Sequence, residues 1–171
     1  MRARIVGLVF VLGLVAVGVA VAGVNRNWST HANGSMEVPA HDTIGQAQAI
    51  FHLSGDGSAL EYKLIAANIE NVFMAHIHMS QPGVNGPIVV WLYPSTATVP
   101  GPTGAGRIDG VIAEGTISAG NLVGPLAGQP LSALVDALNS GNAYVNLHTS
   151  NGSTIAGPGN FPGGEIRGDV N

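Results

Sequence analysis

From Gly45 to Leu53 apolar and polar residues change places at every step. Ala47, Ala49, Phe51 and Leu53 fall on one side, and Gln46, Gln48, Ile50 and His52 on the other. A period of two predicts a half-buried strand. Ser54-Gly55-Asp56-Gly57 has the composition of a turn. Alternation resumes from Ala59 to Ile65, with Leu60, Tyr62 and Leu64 set against Glu61 and Lys63. The two runs predict an antiparallel hairpin. Further strands are predicted over 72–79, 88–93, 111–117, 143–149 and 165–170. Ile88 to Tyr93 is apolar throughout, with β-branched and aromatic members, as suits a central strand. Helical spacing shows at Leu131, Leu134, Val135 and Leu138, behind Pro130 and ahead of Gly141. A first-turn proline and a glycine past the end frame one short helix near 130–139. The pattern predicts an all-β domain, a β-sandwich or partly open barrel of about seven to eight antiparallel strands.

The N-terminus reads differently. Arg2 and Arg4 precede Ile5 to Val24, an apolar and glycine run without charge, and Ala20-Val21-Ala22 has the small-x-small form of a cleavage site. Residues 1–24 are therefore expected to be a signal peptide or, uncleaved, an N-terminal membrane anchor through residues 5–24. Asn25 onward looks like a polar lead-in, so 25–34 is expected to be a linker and 35–171 the folded domain. Either fate of the leader places the domain outside the cytoplasm: secreted, periplasmic or anchored facing outward.

Composition narrows the function. There are 25 Gly and 10 Pro against 9% charged residues, which fits many short elements and tight turns. After residue 24 the fixed cations are Arg26, Lys63, Arg107 and Arg167, against ten carboxylates. Nucleic acid is excluded as a partner, because its phosphates call for clustered Lys and Arg. With no cysteine, thiolate metal sites, Cys nucleophiles and disulfides are excluded, and the core alone must hold the fold. No nucleophile elbow, P-loop, dinucleotide fingerprint or paired-carboxylate motif is present.

The candidate chemistry is histidine. His76 and His78 form an H-x-H on a strand and therefore share a face. Tyr144, Asn146 and His148 share a face of a later strand, and Glu165, Arg167 and Asp169 a face of the last. Three neutral imidazoles, His76, His78 and His148, would suit copper or zinc with a position left open. Asn146, Glu165 and Arg167 would then orient the ligands or pair with one another. The same residues could instead form a metal-free hydrogen-bonded network between strands. Met74 and Met79 lie close in sequence, and thioethers suit Cu(I). His31, His41 and His52 are expected at the surface, and Trp91 and Tyr93 in packing.

Several segments, in order, carry a resemblance: MEVP (Met36 to Pro39), AHIH (Ala75 to His78), NGPIVVWL (Asn85 to Leu92), GPLAG (Gly124 to Gly128), LSALVDALNSGNAYVNLHT (Leu131 to Thr149) and PGGEIRG (Pro162 to Gly168). Over about residues 33 to 171 the chain resembles the CHRD domain, first named from chordin and widespread in exported bacterial and archaeal proteins. The resemblance implies an immunoglobulin-like β fold and a binding or structural module at the cell surface or in the envelope. Its implied partners are other extracellular proteins or envelope components, and it brings no established catalysis. Growth-factor binding in chordin is ascribed mainly to cysteine-rich modules, so antagonism of a signalling ligand is not expected here. A looser similarity links the chain to copper/zinc superoxide dismutases, Greek-key barrels with an H-x-H strand, a later copper-ligand His and a late Arg. His76, His78, His148 and Arg167 would match those positions. The zinc-binding histidine loop and the Cys pair are missing, so dismutase activity is not expected.

Overall fold

The computed structural model describes residues 25–94 and 98–171. The proposed leader, 1–24, lies outside the described residues. Eight strands form one antiparallel sheet: β1 Asn27–Asn33, β2 Gln46–Leu53, β3 Leu60–Glu70, β4 Val72–Met79, β5 Ile88–Tyr93, β6 Arg107–Ile117, β7 Ala143–Thr149 and β8 Ile166–Asp169. Their order is β5-β4-β7-β8-β1-β2-β3-β6. The two end strands, β5 and β6, approach each other, so the sheet curls into a nearly closed barrel. The Tyr62 hydroxyl on β3 donates to the Leu92 carbonyl on β5 at 2.7 Å and ties the seam from inside. Of the two architectures the pattern allowed, this is the barrel.

Alternation explains the interior. Ala47, Ala49, Phe51 and Leu53 of β2 are buried, as are Leu60, Tyr62 and Leu64 of β3, and β2–β3 is the expected hairpin. Ala75 and Ile77 of β4, Val145 and Leu147 of β7 and Ile166 of β8 join the same cluster. Helix α1, Leu131–Asn139, adds Leu131, Leu134, Val135 and Leu138 to it, with Pro130 as the N-terminal cap. Gly141 closes the helix at φ 67°, a left-handed conformation that costs glycine nothing. Among the described residues no helix is long and apolar enough to cross a membrane.

Three boundaries differ from the sequence expectation. Residues 27–33, expected as part of a linker, form β1 and pair with β2 along their whole length. Trp28, Thr30 and Ala32 point inward, but one large apolar residue in three is a weak signal. The inner position is filled closely from β8: a Cβ on Gly168 would stand 2.4 Å from the Thr30 hydroxyl. Strand β3 runs on to Glu70 past register shifts against β6, and β6 begins at Arg107. Gly110 within β6 has φ 122°, and such irregularities break the period of two.

The outer surface is not uniform. Most of β2, β3 and β6 faces solvent on its outside. The outer face of β4, β7 and β8 does not. All seven residues of β7 are buried, because loops 34–45, 80–87 and 150–165 fold over it. A second, polar layer is thus packed outside the barrel wall.

Candidate metal centre in the outer polar layer

Strand β4 alternates Ala75 and Ile77 into the barrel with His76 and His78 outward. Register against β7 sets Met74 opposite His148, His76 opposite Asn146 and His78 opposite Tyr144. His148 is therefore the diagonal cross-strand neighbour of His76, a relation that lets rings meet. His76 Nδ1 lies 3.1 Å from His148 Nε2. One nitrogen from each of His76, His78 and His148 lies within 4.8 Å of the others. The three rings are 0%, 8% and 6% exposed.

Two backbone carbonyls fix the protons. His78 Nδ1–H donates to the Gly86 carbonyl at 2.9 Å, and His148 Nδ1–H donates to the Pro162 carbonyl at 3.0 Å. A carbonyl only accepts, so each Nδ1 carries the proton and each Nε2 keeps a bare lone pair. In the metal-free state His76 Nδ1–H must then donate to His148 Nε2. That leaves His76 Nε2 and His78 Nε2 buried without a partner among the described residues. Leaving a buried polar atom unsatisfied costs about 1–3 kcal/mol.

The imidazoles are held neutral. Burial first, then the neighbouring His148 and His78, pushes His76 down to about 2. His148 is pushed down to about 4, again by burial, against the Pro162 carbonyl bond that favours its proton. His78 is lowered by burial and by the Arg167 charge, partly offset by its Gly86 bond. Neutral imidazole is the ligating form.

Aromatic rings wall the cluster. Trp91 on β5 meets His76 edge-on at 4.2 Å, and Tyr144 stacks on His78 at 4.8 Å. Arg167, 1% exposed, lies 3.5 Å over the Tyr144 ring. Trp91 therefore packs on the candidate site rather than in the core. His31 and His52 are exposed, while His41 is half-buried and stacked 3.9 Å from Phe161.

The other three residues singled out from sequence do not touch the rings in the expected way, and Glu165 and Arg167 are not partners. Glu165 accepts from the Thr43 hydroxyl at 2.6 Å, the Thr149 hydroxyl at 2.5 Å and the Gly159 N–H at 2.8 Å. Arg167 donates to Asp169 from Nε at 3.0 Å and Nη2 at 2.9 Å, and to the carbonyls of Val84 at 3.0 Å and Gln81 at 3.4 Å. Residues two apart on a strand point the same way, so each was free to be claimed by a different loop. Asn146 donates to Glu37 Oε2 at 3.0 Å, and its own Oδ1 is unpartnered. Glu37, 6% exposed, belongs to this layer and was missed. The only signal for it was its place in MEVP.

The CHRD-domain family model matches residues 28–170. The chain belongs to the CHRD family. The match begins inside β1, which agrees with that strand being part of the CHRD domain rather than a linker. A search of curated proteins and a search of solved structures each found no match. The family supports a binding or structural module.

Proposed function

We propose that this CHRD domain works outside the cytoplasm as a binding module, and that its ligand is a single copper or zinc ion. His78 Nε2 and His148 Nε2 would hold the ion together with His76 Nδ1, whose proton moves to His76 Nε2 when the ion replaces the His76–His148 hydrogen bond. Location rests on the leader pattern of residues 1–24. The ion rests on one observation above all: His78 spends Nδ1 on the Gly86 carbonyl, and its buried Nε2 has no partner among the described residues. Carbonyl-fixed tautomers that present Nε2 are how proteins orient ligating histidines.

Distances fit with small movement. Two nitrogens on a tetrahedral ion at about 2.05 Å stand roughly 3.3 Å apart, close to the 3.1 Å seen between His76 and His148. Two nitrogens on opposite sides of an ion are at most about 4.2 Å apart. From the 4.8 Å that bounds the widest pair, closure is about 0.6 Å for a linear pair and about 1.5 Å for the tetrahedral spacing.

Metal analysis of the loaded, desalted protein tests this. We expect about one equivalent of copper or zinc, and its loss in His76→Ala and His148→Ala. Trace metal in the parent, unchanged in both variants, would overturn the ion. A second reading keeps a module without metal that docks on extracellular proteins or envelope components. The exposed Ile50 and Val111 on the outer β2–β3–β6 face favour it. Substitution of those two would then abolish retention at the cell surface.

A further inference from the structure

Resting on the reading of the three histidines as a metal site, we infer that the site selects a monovalent soft cation, Cu(I), over zinc and over Cu(II). The donor set is wholly neutral, three imidazole nitrogens with no carboxylate among them. The desolvation cost of a buried ion grows with the square of its charge, so a dication costs about four times as much as a monocation of like size. Nothing in the ligand set offsets that difference.

The surrounding charges do not offset it either. Arg167 is the buried cation next to the cluster, reaching it through Tyr144, which stacks on His78. The buried carboxylates are committed elsewhere. Glu37 takes hydrogen bonds from Asn146 and the Val38 N–H. Glu165 is held by Thr43, Thr149 and Gly159, and the half-buried Asp169 is held by Arg167.

Ligand number and softness point the same way. Zinc completes four-coordination, with a water where the protein supplies only three ligands, and Cu(II) favours tetragonal nitrogen and oxygen donors. Here three nitrogens come from one sheet face under Trp91 and Tyr144. The residue placed to add a fourth contact is Met74. It sits directly opposite His148 and on the same outward face as His76, at the separation of about 5 Å usual for cross-strand neighbours. Its thioether suits Cu(I) and is not among the usual ligands of zinc, which are Cys, His, Asp and Glu.

The test is a pair of competition titrations on metal-free protein. One uses Cu(I) against a chromophoric Cu(I) chelator without oxygen. The other uses Zn(II) against a chromophoric zinc chelator. We expect one equivalent of Cu(I), bound at least about a hundredfold more tightly than zinc. Met74→Leu should weaken Cu(I) roughly tenfold, leave zinc unchanged, and leave the metal-free melt near the parent's. Zinc binding as tight as Cu(I) would overturn the selectivity while leaving the metal site standing. Failure of both ions to bind would overturn the site itself. An unchanged Cu(I) affinity in Met74→Leu would remove the thioether.

Discussion

Ile77 and His76 are neighbours on β4, and both are 0% exposed, yet they belong to different kinds of interior. Ile77 enters an apolar cluster drawn from every strand direction of the barrel, where contact alone is stabilising. His76 enters a layer built of imidazoles, an amide, an arginine and two carboxylates under three loops. There, stability depends on every polar atom finding a partner. Most do: Arg167 and Glu165 between them collect hydroxyls, carbonyls, an N–H and a carboxylate. His76 Nε2, His78 Nε2 and Asn146 Oδ1 do not, and two of these three lie in the histidine cluster. The barrel interior is organised for stability. The outer layer gives up some stability where the histidines meet.

The comparison is broken most forcefully at Arg167. If the outer layer holds the loops to the wall, Arg167→Met should cost about 3 kcal/mol in urea denaturation, because it strands Asp169 and two loop carbonyls. A cost below about 1 kcal/mol would mean that the layer is decoration. In a double-mutant cycle Arg167 and Glu165 should show coupling near zero, since they share no contact.

Acid comes next, at nearly the same size. His76 and His148 are held near about 2 and about 4 in the folded state, against about 6.5 in the unfolded chain. Between pH 6.5 and 4 the unfolded chain takes up protons that the folded one refuses. Stability of the metal-free protein is therefore complete above pH 6.5 and falls as pH falls. At pH 5.5 each histidine should cost about 1.4 kcal/mol, together about 3 kcal/mol. Urea midpoints at pH 7.5 and 5.5 check this, and equal midpoints would mean that the rings are protonated inside the fold. A bound ion, which needs neutral rings, should steepen the dependence.

How much of this was legible in the sequence divides along the same line. The interior was readable because a period of two in Ala47 to Leu53 and Leu60 to Leu64 is a direct image of a wall with one apolar side. Strand β1 escaped because its inner positions include the small residues Thr30 and Ala32, and Thr30 is set by close packing against Gly168. In the outer layer the H-x-H and the Tyr144–Asn146–His148 face were readable as faces. Their meeting was not, because it depends on β4 and β7 being paired in one register, with His148 diagonal to His76. Glu165 and Arg167 were readable as sharing a face, but their partners come from loops whose course no periodicity records. Glu37 is the plainest case: its role is set by loop 34–45 crossing back over β7 to Asn146.

The finest test sets the two neighbours on β4 against each other. Ile77→Val removes one methylene from the apolar cluster and should cost about 1 kcal/mol. His76→Leu removes a ring with an unpartnered nitrogen and replaces it with an apolar side chain of similar reach. The change removes one unpartnered nitrogen, His76 Nε2, and strands another, His148 Nε2, which loses its donor. The two terms are of similar size, about 1–3 kcal/mol each, so the metal-free variant should lie within about 1 kcal/mol of the parent at pH 7.5. The same change should abolish any stabilisation by added metal, which for the parent follows from binding the folded state alone. If His76→Leu costs as much as a core truncation with no ion present, the imidazoles are holding the fold. The outer layer would then be a second core written in polar residues rather than a site.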